Sequence, residues 1–127
     1  MMNSVSESLT APTASLMGDL KLTTEQKANT QSLEKAYHDA MVDQCRRHCE
    51  VKIKLAKLLG ASPMDEKAVR EVVAETGRIQ MDCERLTMDH VIAIGQVLDP
   101  AQRKIFVKRF SEEIVKTCPT VFTEPVK

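Results

Sequence analysis

Leu58-Leu59-Gly60-Ala61-Ser62-Pro63 breaks a helical pattern that is otherwise sustained along most of the chain, and its reading decides the fold. Glycine suits the left-handed conformation just past a helix end, while Ser followed by Pro suits a cap and a first helical position. A stop and a restart are thus packed into one short turn. Upstream, Thr23 is followed three residues later by Gln26, a capping box in which hydroxyl and amide satisfy each other's backbone, so a first helix is predicted from Thr23 to Gly60. Downstream, a second helix is predicted from Ser62-Pro63 to about Val97. There Asp99-Pro100-Ala101-Gln102 repeats the start signal and opens a third helix to about Lys116, before Pro119 stops it. Two rods of roughly 35 residues, about 50 Å each at 1.5 Å per residue, joined by so short a turn, lie antiparallel. The expected class is all-α: a long antiparallel helical hairpin plus a shorter third helix.

The inner stripe of the second helix reads Val69, Val72, Val73, Thr76, Ile79, Cys83, Leu86, His90, Ile94 and Val97, close to the helical period, so Cys83 and His90 are expected to be buried. The first helix presents Leu33, Tyr37, Ala40, Met41, Val51, Leu55, Leu58 and Leu59 inward. Beside that stripe runs a shoulder of Glu34, His38, Met41, Cys45 and Cys49, spaced by three or four residues and therefore stacked along one side. Residues 1–19 are Ser/Thr-rich without sustained period and read as a disordered leader with one turn near Leu16-Met17. Residues 20–118 then form the helical-hairpin domain and residues 119–127 a tail.

Composition agrees with one helical domain. The chain of 127 residues has four glycines, one tyrosine, three phenylalanines and no tryptophan, and it lacks strand-like alternation. Its 18 basic residues cancel its 18 acidic ones with no basic patch bearing aromatics, which argues against nucleic acid as a partner. No apolar run reaches the ~18 residues of a membrane span, and the first residues lack the basic start and apolar stretch of an export signal. Gly-rich phosphate loops, nucleophile elbows and HExxH motifs are missing, so the chain is expected not to be an enzyme. Apolar flanks such as Val91, Phe106 and Phe110 are in excess of what three helices can cover, pointing to a homodimer or larger homo-oligomer.

Two constellations carry chemistry. A hairpin turning near residues 61–62 places Glu34 and His90 at one height, where a carboxylate and an imidazole can share a proton or hold a divalent ion such as Zn, Ni or Co. Cys45 and Cys49 lie one turn apart, Cys83 sits on the facing stripe, and a third helix folded back along the second brings Cys118 to the same level. Thiols so grouped suit inter-helix disulfides, a soft metal, or small buried hydrophobes; a disulfide would join Cys45 or Cys49 to Cys83 or Cys118.

The pair Leu22-Thr23-Thr24-Glu25-Gln26 and Leu98-Asp99-Pro100-Ala101-Gln102 resembles the twin LTxxQ motifs of the periplasmic Spy/CpxP/ZraP family. The stretch LTMDHVIAIGQVLDPAQRKIF over residues 86–106 is similar to its CnrX-like heavy-metal-sensor branch, and the resemblance covers about residues 16–115. It implies a periplasmic, dimeric or larger α-hairpin protein. Such a protein either senses nickel, cobalt or zinc, passing the signal to a membrane partner, or acts as an ATP-independent chaperone of unfolded clients. In the sensor branch the ion is held by two N-terminal His, a Glu on the first long helix, and a His and a Met one turn apart on the second. Carried over, the Glu falls on Glu34 and the helical His on His90; the Met position holds Ile94, and the N-terminal positions fall near Thr13 and Met17. The residual ligand set implied here is Glu34 and His90 with Met17 or His38.

Overall fold

The computed structural model describes residues 13–116. A helical turn at residues 13–16 leads into three long helices: α1, Thr24–Leu59; α2, Glu66–Val97; and α3, Pro100–Lys116. No strand occurs among the described residues, and no helix among them is long and apolar enough to cross a membrane. α1 and α2 pack antiparallel along their length, whereas α3 touches α2 far less. Cys118 and the tail lie outside the described residues, as does the leader before Thr13.

Both predicted capping boxes form. Thr23 Oγ1 accepts from the Gln26 amide at 3.1 Å while Gln26 Oε1 accepts from the Thr23 amide at 2.9 Å. At α3, Asp99 Oδ1 accepts from the Gln102 amide at 2.7 Å and Gln102 Oε1 accepts from the Asp99 amide at 3.0 Å. The two glutamines then bond to each other: Gln26 Nε2 donates to Gln102 Oε1 at 2.8 Å, and also to the Val97 carbonyl at 3.2 Å. Gln102 Nε2 donates to the Leu20 carbonyl at 3.0 Å. Lys21 helps aim this backbone, since it adopts φ 53° in the left-handed region and its carbonyl also faces Gln102 Nε2 at 3.4 Å. One amide pair therefore joins the start of α1, the end of α2, the start of α3 and the segment before α1.

The exit of α2 carries no basic residue of its own in its last turn, and α3 supplies one. Arg103 Nε donates to the Gly95 carbonyl at 2.7 Å and its Nη2 to the Leu98 carbonyl at 3.2 Å, satisfying acceptors that the helix end leaves open.

Two apolar clusters hold the hairpin at its ends. Met17, Leu20, Ile94, Leu98 and Phe106 form one, with Leu33 and Val91 against it. Val51, Val72 and Ile79 form the other near the turn, with Leu55, Leu58 and Cys83 against it. Phe106, Ile79 and Ile94 are the largest fully buried side chains, each contributing roughly 1.5–3 kcal/mol by removal from water.

Several expectations need correction. Gly60 ends α1 in the right-handed region at φ −83°, with its amide donating to the Ala56 and Leu58 carbonyls, so no left-handed exit is used. α2 is capped by Asp65, whose carboxylate accepts from the Ala68 amide at 3.1 Å, instead of by Ser62 with Pro63 inside the helix. Aspartate caps as well as serine and adds negative charge at the positive helix end. Leu59 and Val73 are exposed, because the inner stripe of each helix is narrower than the run of apolar residues beside it. Cys83 is half-buried and not buried. Phe106, expected on a flank awaiting a second chain, is enclosed by this one, and residues 13–19, read as leader, place Thr13 and Met17 in the interior.

Replacing Gln102 by Ala removes half of a cap, leaves the Leu20 carbonyl without its donor and leaves the Gln26 NH₂ with only the Val97 carbonyl. A loss of about 1–3 kcal/mol is expected in urea unfolding. Lys35→Ala, which breaks only the exposed Lys35–Asp39 pair, should cost under about 0.5 kcal/mol. Equal losses in the two variants would refute the junction's importance.

Candidate metal centre

Glu34 lies on α1 and His90 on α2, where the hairpin brings them together: Glu34 Oε1 is 3.3 Å from His90 Nε2. The His90 side chain is 3% exposed and that of Glu34 18%. The imidazole is fixed by stacking, for the Tyr37 ring lies against it at 4.3 Å between centroids and 5° between planes. Tyr37 is in turn tethered, its hydroxyl 2.9 Å from Thr87 Oγ1. Thr87 commits its single hydroxyl hydrogen to the Cys83 carbonyl at 3.0 Å, so Tyr37 is the donor in that contact. Burial pushes the Tyr37 phenol above its usual range, which keeps it protonated and able to donate.

The second carboxylate oxygen is also taken. Thr13 Oγ1 donates to Glu34 Oε2 at 3.1 Å, so the segment before α1 closes over the pair. That segment is held by Met17 and Leu20 in the end cluster and by Arg109 of α3. The Arg109 guanidinium donates to the Leu16 carbonyl at 3.0 Å and to Asp19 Oδ2 at 3.0 Å. An open groove of about 890 Å³ runs along the segment, lined among others by Met17, Asp19, Lys27, Thr30 and Glu34.

The positions that the resemblance singles out thus lie in one place. Glu34 meets His90 and Thr13, while Met17 and Ile94 share one apolar cluster. Only Glu34 and His90 carry strong ligands. Met17 is packed as core beside them. His38 is half-buried one turn beyond Glu34, and among the described residues no three of His, Cys, Asp and Glu gather as a metal group, so His38 does not complete a set. No buried side-chain polar atom among the described residues lacks a hydrogen bond, so Glu34 and His90 are satisfied by protein partners. The donors fit an open, two-ligand site and do not fit the closed five-ligand arrangement that the resemblance implies.

Cys45 and Cys83 are half-buried and Cys49 exposed, all three as free thiols in this structure. The parts missed from sequence are the bond from Thr13 to Glu34, the roles of Tyr37 and Thr87, and the Arg109–Asp19 clamp. Tyr37 was legible as core, but no local pattern marks a hydroxyl 21 residues from its carboxylate or an ion pair 90 residues apart.

A family model described as heavy-metal resistance matches residues 8–104, and that group lies within the LTxxQ, Spy/CpxP-like helical proteins. No curated protein and no solved structure matches the chain.

The Arg109 hydrogen bond holds the Asp19 carboxyl below its usual value, so the clamp is complete above the ordinary carboxylate range and is lost as pH falls through Asp19's own lower value. Hydrogen-exchange protection at Met17 and Leu20, relative to Ile94, should therefore decline between about pH 6 and about pH 3. Arg109→Ala should lower it at both pH values and flatten the difference. An unchanged profile in that variant would exclude the clamp as what docks the segment.

Proposed function

The chain belongs to the heavy-metal resistance family, and from that premise we propose that it is a periplasmic metal-binding protein that takes a divalent zinc, nickel or cobalt ion between Glu34 and His90. The observation that carries the reading is the meeting of these two side chains across the hairpin, with one imidazole nitrogen aimed at one carboxylate oxygen. Two protein donors leave the other coordination positions to solvent, which suits reversible sensing better than a structural ion. The ion needs Glu34, and so does Thr13. Occupancy and docking of residues 13–20 are therefore linked, which gives a sensor a movable part. The imidazole nitrogen must be free of a proton to bind, so any proton it carries is released as the ion enters. This reading assigns no catalytic residue, and the protein acts by binding and not as an enzyme.

A second reading, a chaperone or stress-signalling adaptor working as a homodimer or larger assembly, is favoured by one feature. Val73, Met81, Met88 and Ile92 line the outer side of α2 and are 41–59% exposed. Such a stripe suits a second copy or the apolar segments of unfolded clients.

Calorimetry with Zn, Ni and Co on protein whose cysteines are blocked separates the two. Wild type should bind, and Glu34→Gln and His90→Ala should lose the signal. Thr13→His, which sets an imidazole where the resemblance places one, should tighten binding about tenfold or more. Equal binding in wild type, Glu34→Gln and His90→Ala would overturn the proposal. Should wild type bind nothing tighter than about millimolar, while light scattering shows a dimer and client aggregation is suppressed, the chaperone reading replaces it.

A further inference from the structure

The thiols are not absorbed by the Glu34–His90 site, and the hairpin's register places two of them together. Glu34 faces His90 and Tyr37 faces Thr87, so each step forward on α1 matches a step back on α2. Continued, residue 41 is level with Cys83, and Cys45 lies one turn further along α1. Cα–Cβ bonds tilt toward the N-terminus of their own helix. In an antiparallel pair this leans Cys45 back toward the level of residue 41 and leans Cys83 toward the level of Cys45. The two side chains therefore converge. Their proximity also shows electrostatically, since a charge on Cys45 acts on Cys83 and both act on the Tyr37 hydroxyl.

The same neighbourhood is open and soft. Cys83 lines a groove of about 450 Å³ between α2 and α3, together with Thr87, Met88, Phe110 and Ile114. The Cys83 thiol and the Met88 thioether border it with Glu84, and its other walls are largely apolar. Among the described residues no third His, Cys, Asp or Glu joins the pair, which argues against a four-ligand zinc site. A direct disulfide is also disfavoured, because one turn is an axial offset of about 6 Å and any sizeable lateral gap carries the Cα atoms past the limit of about 7 Å. An ion bonded to both sulfurs spans a wider gap than a single S–S bond.

We propose that Cys45 and Cys83 form a two-thiolate site, bridging α1 and α2, for one soft monovalent metal ion of the Cu(I) class. Two-coordinate thiolate binding is what such ions favour, and softness excludes the harder divalent ions. On binding, two S–H bonds break, two metal–sulfur bonds form and two protons pass to solvent, with no change of oxidation state. Burial pushes the Cys83 thiol above its usual range, so in the metal-free protein it stays protonated and resists oxidation.

The test uses the full chain with all four cysteines, reduced and anaerobic, titrated with Cu(I) against a chromophoric Cu(I) chelator. One ion per chain should bind, and alkylation followed by mass spectrometry should find Cys45 and Cys83 protected while Cys49 and Cys118 react. Cys49→Ser and Cys118→Ser should keep the affinity, whereas Cys45→Ser and Cys83→Ser should each lose about tenfold or more, with circular dichroism confirming that the metal-free variants fold. Protection of Cys49 or Cys118 in place of the pair, undiminished affinity in Cys45→Ser/Cys83→Ser, or no uptake by reduced wild type would each overturn the proposal. Because the divalent-ion titration is done with cysteines blocked, the two sites are measured independently and either can fail without the other.

Discussion

The reciprocal amide contact between Gln26 and Gln102 is the constraint on which the rest of the molecule hangs. Each glutamine serves its own helix by returning an oxygen to the cap residue's amide, and that local duty fixes its rotamer before any tertiary contact is made. With each oxygen serving its own cap, the NH₂ groups point out of the two helix starts, each toward the other glutamine's oxygen and toward the carbonyls of Val97 and Leu20. The leucines just before the caps, Leu22 and Leu98, account for apolar packing there but not for alignment. The amides explain alignment, since a hydrogen bond 76 residues apart in sequence can be satisfied only with the hairpin closed in this register.

Once the open end is closed, the interior is partitioned. Apolar clusters occupy the two ends, and between them Tyr37, Thr87, His90 and Glu34 form a polar band across the helix interface. Such a band is weaker than a continuous apolar seam unless every member is partnered. Here every member is, through stacking, the Tyr37–Thr87 bond and the Thr13 cover. The result is a fixed order of dependence: the carboxylate needs the N-terminal segment, and that segment needs the end cluster and Arg109.

That dependence ties the family's chemistry to this chain's particular residues. The chain belongs to the heavy-metal resistance family, and its segment before α1 packs over both long helices at one end of the hairpin. In this chain the crossing segment brings a hydroxyl and a thioether-bearing core residue, so hydrogen bonding and apolar packing close the cleft. A part-buried carboxylate left without hydrogen-bond partners would be unfavourable, and Thr13 supplies one to Glu34. Ile94, fully buried where the resemblance implies a methionine, completes the exchange of ligation for packing.

The helix starts at Thr23 and Asp99, the end of the second helix near Val97, and the facing of Glu34 and His90 were all legible in the residues. The reason is that caps are decided within one turn and two rods of matched length admit one antiparallel register. Sequence reading placed too many residues inward, Leu59 and Val73 among them, because periodicity ranks faces without knowing how wide a stripe the neighbouring helix covers. It also passed over Asp65 in favour of Ser62, two chemically equivalent caps that only the path of the turn distinguishes. What the tertiary structure alone decided is the fate of residues 13–20. Their partners, Glu34, Phe106, Gln102 and Arg109, lie on other helices, and no spacing in the sequence encodes a contact that exists only after those helices have met.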